Sequence, residues 1–167
     1  LDDVRDDFFD ALIVTGAPIE QLPFEDVAYW KELTQIMEWS RRNCFRRLGI
    51  CWGAQALLYH FHSVAKHHCG DKLFGVYPHQ LNHNNGRLLR GFTDTFPMPV
   101  SRYTENRRAE LETAGIEVLA ESDSCGIGMA RHPQTGDLYV LNHLEYDADT
   151  LAAEYWRDRE EGLATAM

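Results

Sequence analysis

The residue best placed to do covalent chemistry is a cysteine set between two glycines. Cys51 stands within the stretch Arg47 to Leu58, where Leu48 and Ile50 have strand character and Ala54 to Leu58 are good helix formers. A short apolar strand therefore runs through a tight turn into a helix, with Gly49 and Gly53 flanking the sulfur. Glycine at such a corner permits a sharp bend and close approach of other groups. Exposed N–H groups and the positive dipole end of a helix favour a thiolate. The corner is thus expected to lower the thiol pKa, as a cysteine version of the nucleophile elbow. A buried, inert cysteine in an ordinary strand-to-helix turn fits the local sequence equally well. A cysteine nucleophile also needs a base, and the base an orienting acceptor. His143-Leu-Glu145 follows an apolar strand, Tyr139 to Leu141. Residues two apart in extended chain project to one side. Glu145 can then hold one ring nitrogen of His143 while the other faces Cys51. Taken singly, His143 reads as a structural histidine and Glu145 as an acid leading into a helix; the combination is more specific than either.

These groups need elements to carry them. Phe9 to Val14 reads as an apolar strand ending in the breaker cluster Thr15-Gly-Ala-Pro18. Loops leaving the carboxyl ends of central strands are where open α/β sheets place ligands. Val27, Trp30, Leu33 and Ile36 or Met37 recur at helical spacing and predict a helix over 25–42. Strand, helix, strand, helix is the pattern of a parallel sheet. Asp71 to Tyr77 reads as a strand with Lys72 at its start, and Gly86 to Pro99 as loop-rich. Val100 to Thr104 reads as a strand or sheet edge, Arg107 to Ala114 as a short helix and Ile116 to Ala120 as a strand. Ile127 to Arg131 and Leu138 to Leu141 form a hairpin about the turn Pro133 to Asp137. Asp147 or Asp149 starts a last helix to about Glu161, carrying Glu154 and Arg157.

Composition narrows the function. A chain of 167 residues suggests one domain over 1–167, and 44% hydrophobic content supports a real core. No apolar run approaches the roughly 20 residues of a membrane span, so no membrane association is expected. A net charge of −10, spread along the chain, argues against nucleic acid as a partner. Cys44, Cys51, Cys69 and Cys125 form no CxxC pair, so a zinc site or disulfide scaffold is not expected, and a reducing cytoplasm is the default. Six of the eight histidines fall between His60 and His83, but at no standard ligand spacing, and no metal is expected there. The chain opens at Leu1 without a visible signal peptide and reads as a portion of something longer.

Gly49-Ile-Cys51-Trp-Gly53-Ala-Gln55 resembles the elbow of class I glutamine amidotransferases, in which the cysteine pairs with a later His-x-Glu. Further segments resemble one branch of that superfamily, the homoserine O-acyltransferases of methionine biosynthesis. They include Phe9 to Pro18, Asp26 to Trp30, Lys72 to Tyr77, Ser101-Arg-Tyr103, His143 to Asp147 and Glu154 to Asp158. The resemblance implies an open, mostly parallel sheet with helices on both faces, and places this chain in the C-terminal portion of a longer one, without the family's first strands. It implies Cys51 as acyl-thioester nucleophile, His143 as proton acceptor and Glu145 as its partner, with substrate contacts at Lys72, Ser101 and Arg157. Arg157 suits bidentate binding of the homoserine α-carboxylate; as ordinary exposed charges, Lys72 and Arg157 also read as surface residues. Backbone N–H groups of Trp52 and Ala17 are expected to form the oxyanion hole. In the family, glutamate at the position of Glu20 goes with acetyl-CoA and glycine with succinyl-CoA; a carboxylate there would repel a succinyl group. The expected reaction is acetyl transfer from acetyl-CoA to L-homoserine by a ping-pong mechanism, with acetyl-CoA as co-substrate, no bound prosthetic group and a homodimer by family precedent. Homoserine O-succinyl transfer, serine O-acetyl transfer and a glutamine amidotransferase-type amidase are the alternatives.

Overall fold

The structure, a computed structural model, describes residues 1–82, 88–163 and 165. Strand β1 (Phe9–Val14) leads through a 3-10 turn (Phe24–Asp26) to α1 (Trp30–Asn43), β2 (Cys44–Ile50) and α2 (Trp52–His62). Then come β3 (His67–Leu81), β4 (Thr95–Glu105), α3 (Arg108–Thr113), β5 (Glu117–Ser122), β6 (Gly126–Arg131), β7 (Leu138–Val140) and α4 (Thr150–Glu160).

All seven strands join one sheet in the order β1-β2-β7-β6-β5-β3-β4. The parallel arrangement expected from the strand–helix–strand pattern holds for β1 with β2 and for β2 with β7. The other pairings are antiparallel. The reason is connection length: β5, β6 and β7 follow one another through turns too short for a crossover. The sheet is therefore mixed, and its parallel part is the part that carries the site. The hairpin expected from Ile127 to Leu141 is present as β6 and β7.

Side chains along β7 show where the two cores lie. Tyr139 and Leu141 enter one cluster and Leu138 and Val140 the other, as alternation on a strand requires. The larger core packs Met37 of α1, Leu57 and Leu58 of α2 and Leu111 of α3 against the sheet. The smaller packs Met98, Leu119 and Met129, with Leu89 closing over it. Losing a fully buried leucine such as Leu57 to alanine is worth about 3 kcal/mol.

Three elements differ from expectation. β4 begins at Thr95, within the stretch read as loop-rich, because residues 95–99 pair with β3. The helix predicted over 25–42 begins only at Trp30. Val27 has extended backbone and is buried, so its place in the periodicity comes from the preceding 3-10 turn. Phe24 in that turn stacks on Trp30 and Tyr59, with ring centroids 5.0 and 4.6 Å apart. The strand predicted over 71–77 extends to His67–Leu81. Pro78 sits directly opposite Pro97, and Pro99 opposite Val76. Opposed residues in antiparallel strands alternate between exchanging two hydrogen bonds and none. Two prolines can face each other only at a non-bonded pair, so neither breaks the ladder.

Histidines of the 60–83 stretch disperse. His60 bonds Glu38, His62 the Tyr139 hydroxyl, and His67 Glu110. His83 and the start of the 86–99 loop lie outside the described residues. Among the described residues no group of three or more His, Cys, Asp or Glu side chains is placed to hold a metal ion. All four cysteines are free thiols. No described helix is long and apolar enough to cross a membrane.

Candidate active site

Because β1, β2 and β7 run parallel, their carboxyl ends open at one edge of the sheet. Three segments leave there: the 15–22 loop, the turn at Cys51, and the stretch from Leu141 to Tyr146. They surround a cleft of about 690 Å³ that also takes in Lys72, Ser101 and residues of α4.

The turn at Cys51 is tightly built. Its backbone has φ 51° and ψ −120°, a left-handed conformation that costs a non-glycine residue energy and holds only where the surroundings enforce it. Those surroundings are visible. The Cys51 N–H donates to Val140 O at 2.7 Å, and the Cys51 carbonyl accepts from Ala54 and Gln55 to start α2. A Cβ on Gly53 would stand 2.1 Å from Val14 O, and one on Gly49 2.4 Å from Ala54 Cα. Both flanking positions are therefore closed to any side chain, as the sequence reading required.

The thiol departs from expectation. Cys51 is buried, and its pKa is pushed up to about 12 rather than lowered. Burial is the chief cause, and the carboxylates of Glu20 and Glu145 add to it. The Trp52 backbone N–H and the Arg102 guanidinium act the other way and do not prevail. Desolvation of a thiolate outweighs one helix N-terminus. At neutral pH the sulfur rests as a thiol and needs a base.

A histidine lines the same cleft. His143 is buried, with its N–H tied to Pro99 O at 2.9 Å. Its Nδ1 donates to Glu145 Oε1 at 2.7 Å, as the two-residue spacing predicted, which leaves Nε2 unprotonated in the neutral ring. Cys51 Sγ and the His143 ring both border Gly16. The point where a Gly16 Cβ would stand is 3.8 Å from Cys51 Sγ and 3.9 Å from His143 Cε1.

Glu20 lies in the same cleft. Its Oε1 accepts the Tyr103 N–H at 3.0 Å. The Thr104 hydroxyl sits 3.4 Å from its Oε2 and donates to Gln55 Oε1 at 3.0 Å. Burial raises its pKa against the lowering pull of those bonds and of Arg102 and Lys72. Trp52 opens α2 and its backbone N–H donates to the Cys51 sulfur, while Ala17 lines the same cleft from the 15–22 loop. Ser101 lines the cleft from β4.

Lys72 and Arg157 are brought together by a residue the sequence reading missed. The Lys72 ammonium donates to Asp158 Oδ2, with both side chains almost wholly buried. Arg157 Nη2 donates to Asp158 Oδ1 at 2.8 Å, while its side chain stays 54% exposed. Burial opposes ionisation of Asp158, but bonds from Lys72, Arg157 and Thr165 hold its pKa at about 2. Lys72 is thus a committed ion-pair partner, and Arg157 is the cation open to the cleft. Tyr146 was also missed. Its ring stacks on His143 with centroids 4.1 Å apart and planes 20° apart, and its hydroxyl donates to Glu154 Oε1 at 2.6 Å. Glu154 lines the cleft, and its Oε2 is buried without a hydrogen-bond partner among the described residues. A periodicity signal existed for these: Glu154, Arg157 and Asp158 share one face of α4 at helical spacing. Arg102, also missed, is buried and donates to Thr104 O, Cys125 O and Asn142 Oδ1, bracing the residue before His143.

Residues 1–167 match the family model described as homoserine O-succinyltransferase. The chain belongs to that family. It is 47% identical over 167 residues to a homoserine O-acetyltransferase of Brevibacillus brevis, covering 99% of this chain and 55% of that protein. It is 49% identical over 158 residues to a homoserine O-acetyltransferase of Desulfitobacterium hafniense, covering 94% and 52%. The chain thus spans about half the length of the curated relatives it matches. Among solved structures, it resembles a glutamine amidotransferase from Thermotoga maritima with a TM-score of 0.71 and 17% identity, covering 92% of this chain and 64% of that one. The glutaminase domain of Trypanosoma brucei CTPS gives a TM-score of 0.63 at 12% identity, covering 94% and 73%. The fold is accordingly class I glutamine amidotransferase-like.

Proposed function

We propose that this chain carries the acyl-transfer site of a homoserine O-acetyltransferase. The observation that supports this most is the placement of Cys51 and His143 in one cleft, both beside Gly16, with Glu145 on one ring nitrogen and the Glu20 carboxylate in the same cleft. His143 Nε2 takes the proton of the Cys51 thiol, and the sulfur attacks the thioester carbonyl of acetyl-CoA. The N–H groups of Trp52 and Ala17 receive the oxyanion. The carbon–sulfur bond to CoA breaks, the CoA thiolate takes the proton from His143, and acetyl-Cys51 remains. His143 next takes the proton of the homoserine hydroxyl, whose oxygen attacks the acetyl carbonyl. The Cys51 sulfur leaves and is reprotonated. Arg157 binds the homoserine α-carboxylate as a forked donor, and the Lys72–Asp158 pair anchors that arginine. Glu20 favours acetyl over succinyl through charge repulsion, in line with the names of the 45–49% identical relatives. The enzyme would work in the cytoplasm as a homodimer.

Intact-protein mass spectrometry after mixing with acetyl-CoA, and separately with succinyl-CoA, tests the reading. The acetyl adduct should form, should be absent in Cys51→Ala, and should discharge onto L-homoserine faster than onto L-serine. A Cys51→Ala protein that still transfers acetyl at a near-normal rate would end this mechanism. Glutamine hydrolysis without any acyl adduct would favour an amidase.

A further inference from the structure

Nothing in the chemistry above requires an aromatic ring against the base, yet one is there. Tyr146 covers one face of the His143 imidazole at 4.1 Å with nearly parallel planes. Glu145 fixes one ring nitrogen, but a single hydrogen bond leaves the ring free to rock about it. A second constraint perpendicular to the ring plane removes that freedom. The Tyr146 ring supplies it only if it is itself held, and its hydroxyl is held by Glu154 Oε1 at 2.6 Å. Glu154 stands on α4 one turn before Arg157 and Asp158, the residues that form the acceptor end of the cleft. Burial and the Glu154 carboxylate both push the Tyr146 pKa upward, so the phenol stays a donor throughout the working pH range.

We propose that Tyr146 is a positioning residue for His143, and that Glu154 anchors Tyr146, so that the helix lining the acceptor end of the cleft also holds the base on its line toward Cys51. The purpose of the device rests on the acyl-transfer reading, but its existence can be read without any acyl donor. Because burial keeps Cys51 protonated, its alkylation by iodoacetamide depends on His143 removing the proton. The alkylation rate at neutral pH therefore reports how well the ring is aimed.

The test uses the intact protein, with Cys51→Ala to identify the labelled site and His143→Ala to set the floor. Tyr146→Phe keeps the ring stack and loses the anchor, and Glu154→Ala loses the same anchor from the other end. Each should slow alkylation by about threefold, and the double variant should be no slower than either, since one bond is lost in all three. Tyr146→Leu loses the stack, and its rate should fall at least about tenfold below that of Tyr146→Phe. Circular dichroism and melting temperature identify any variant that fails to fold; the Phe and Ala variants then carry the test alone. Equal rates for Tyr146→Leu and Tyr146→Phe overturn the positioning role. Additive losses in the double variant overturn the coupling through Glu154. If wild-type Cys51 alkylates in a His143-dependent way but takes no acetyl from acetyl-CoA, the acyl-transfer reading fails while this inference stands.

Discussion

Gly16→Ala should separate catalysis from folding. Its backbone is not in the left-handed region, so alanine is conformationally acceptable there. The added methyl would stand 3.3 Å from Cys51 Cβ, 3.8 Å from Sγ and 3.9 Å from His143 Cε1. Only the first contact is tight, and a shift of a few tenths of an ångström relieves it. Overpacking of that size costs about 1 kcal/mol. Reduced freedom of the unfolded chain returns about 0.5 kcal/mol. Net stability should therefore change by less than about 1 kcal/mol, a melting shift of roughly 3 °C. Catalysis should slow as well, because the methyl adds bulk beside both the sulfur and the imidazole. Transfer requires the sulfur and Nε2 to close to hydrogen-bond reach. A displacement of a few tenths of an ångström at the reacting pair costs about fivefold in rate, or about 1 kcal/mol of barrier. Time-resolved mass spectrometry of acetyl adduct formation, with a melting curve on the same sample, checks both halves. A Gly16→Ala protein that melts like wild type and acylates at the wild-type rate would show that Cys51 and His143 do not meet beside this residue.

Three further outcomes are expected. In His143→Ala, acylation of Cys51 should climb about tenfold per pH unit between about pH 7 and pH 10, since a thiol pushed up to about 12 is almost wholly protonated throughout that range; a plateau below pH 9 in a pH–rate profile would contradict the raised value. Replacing Glu20 by glycine should shift the succinyl-to-acetyl ratio of adducts in favour of succinyl by about tenfold or more, because the repulsion of two part-buried carboxylates is worth several kcal/mol; an unchanged ratio in a competition experiment would remove Glu20 from donor choice. Asp158→Asn strands the buried Lys72 ammonium and should cost about 3 kcal/mol, a fall of roughly 10 °C in melting temperature. The folded Asp158 pKa is lowered from 3.8 to about 2, so its contribution is present above pH 3.8 and lost as pH falls toward 2. The gap between wild type and variant should narrow over that interval, and a gap independent of pH would refute the ion pair as its source.

Local chemistry carried much of this protein in its sequence. Glycines at 49 and 53 around Cys51 specified the turn, since no other residue fits against Val14 O and Ala54 Cα. The two-residue spacing of His143 and Glu145 made their hydrogen bond legible, although the chain reaches it through bends at Leu144 and Glu145 rather than by running extended. Tertiary structure decided what depends on residues far apart. The thiol pKa went up rather than down because burial and two carboxylates, contributed by the 15–22 loop and the Leu141 to Tyr146 stretch, outweigh one helix terminus. Lys72 became an ion-pair partner because Asp158, 86 residues away, folds against it. The direction of the strands beyond β2 followed from turn lengths and from which neighbour each found in the sheet. A chain records its near neighbours in residue type and spacing. Desolvation and long-range charge exist only once distant segments have closed around the same point.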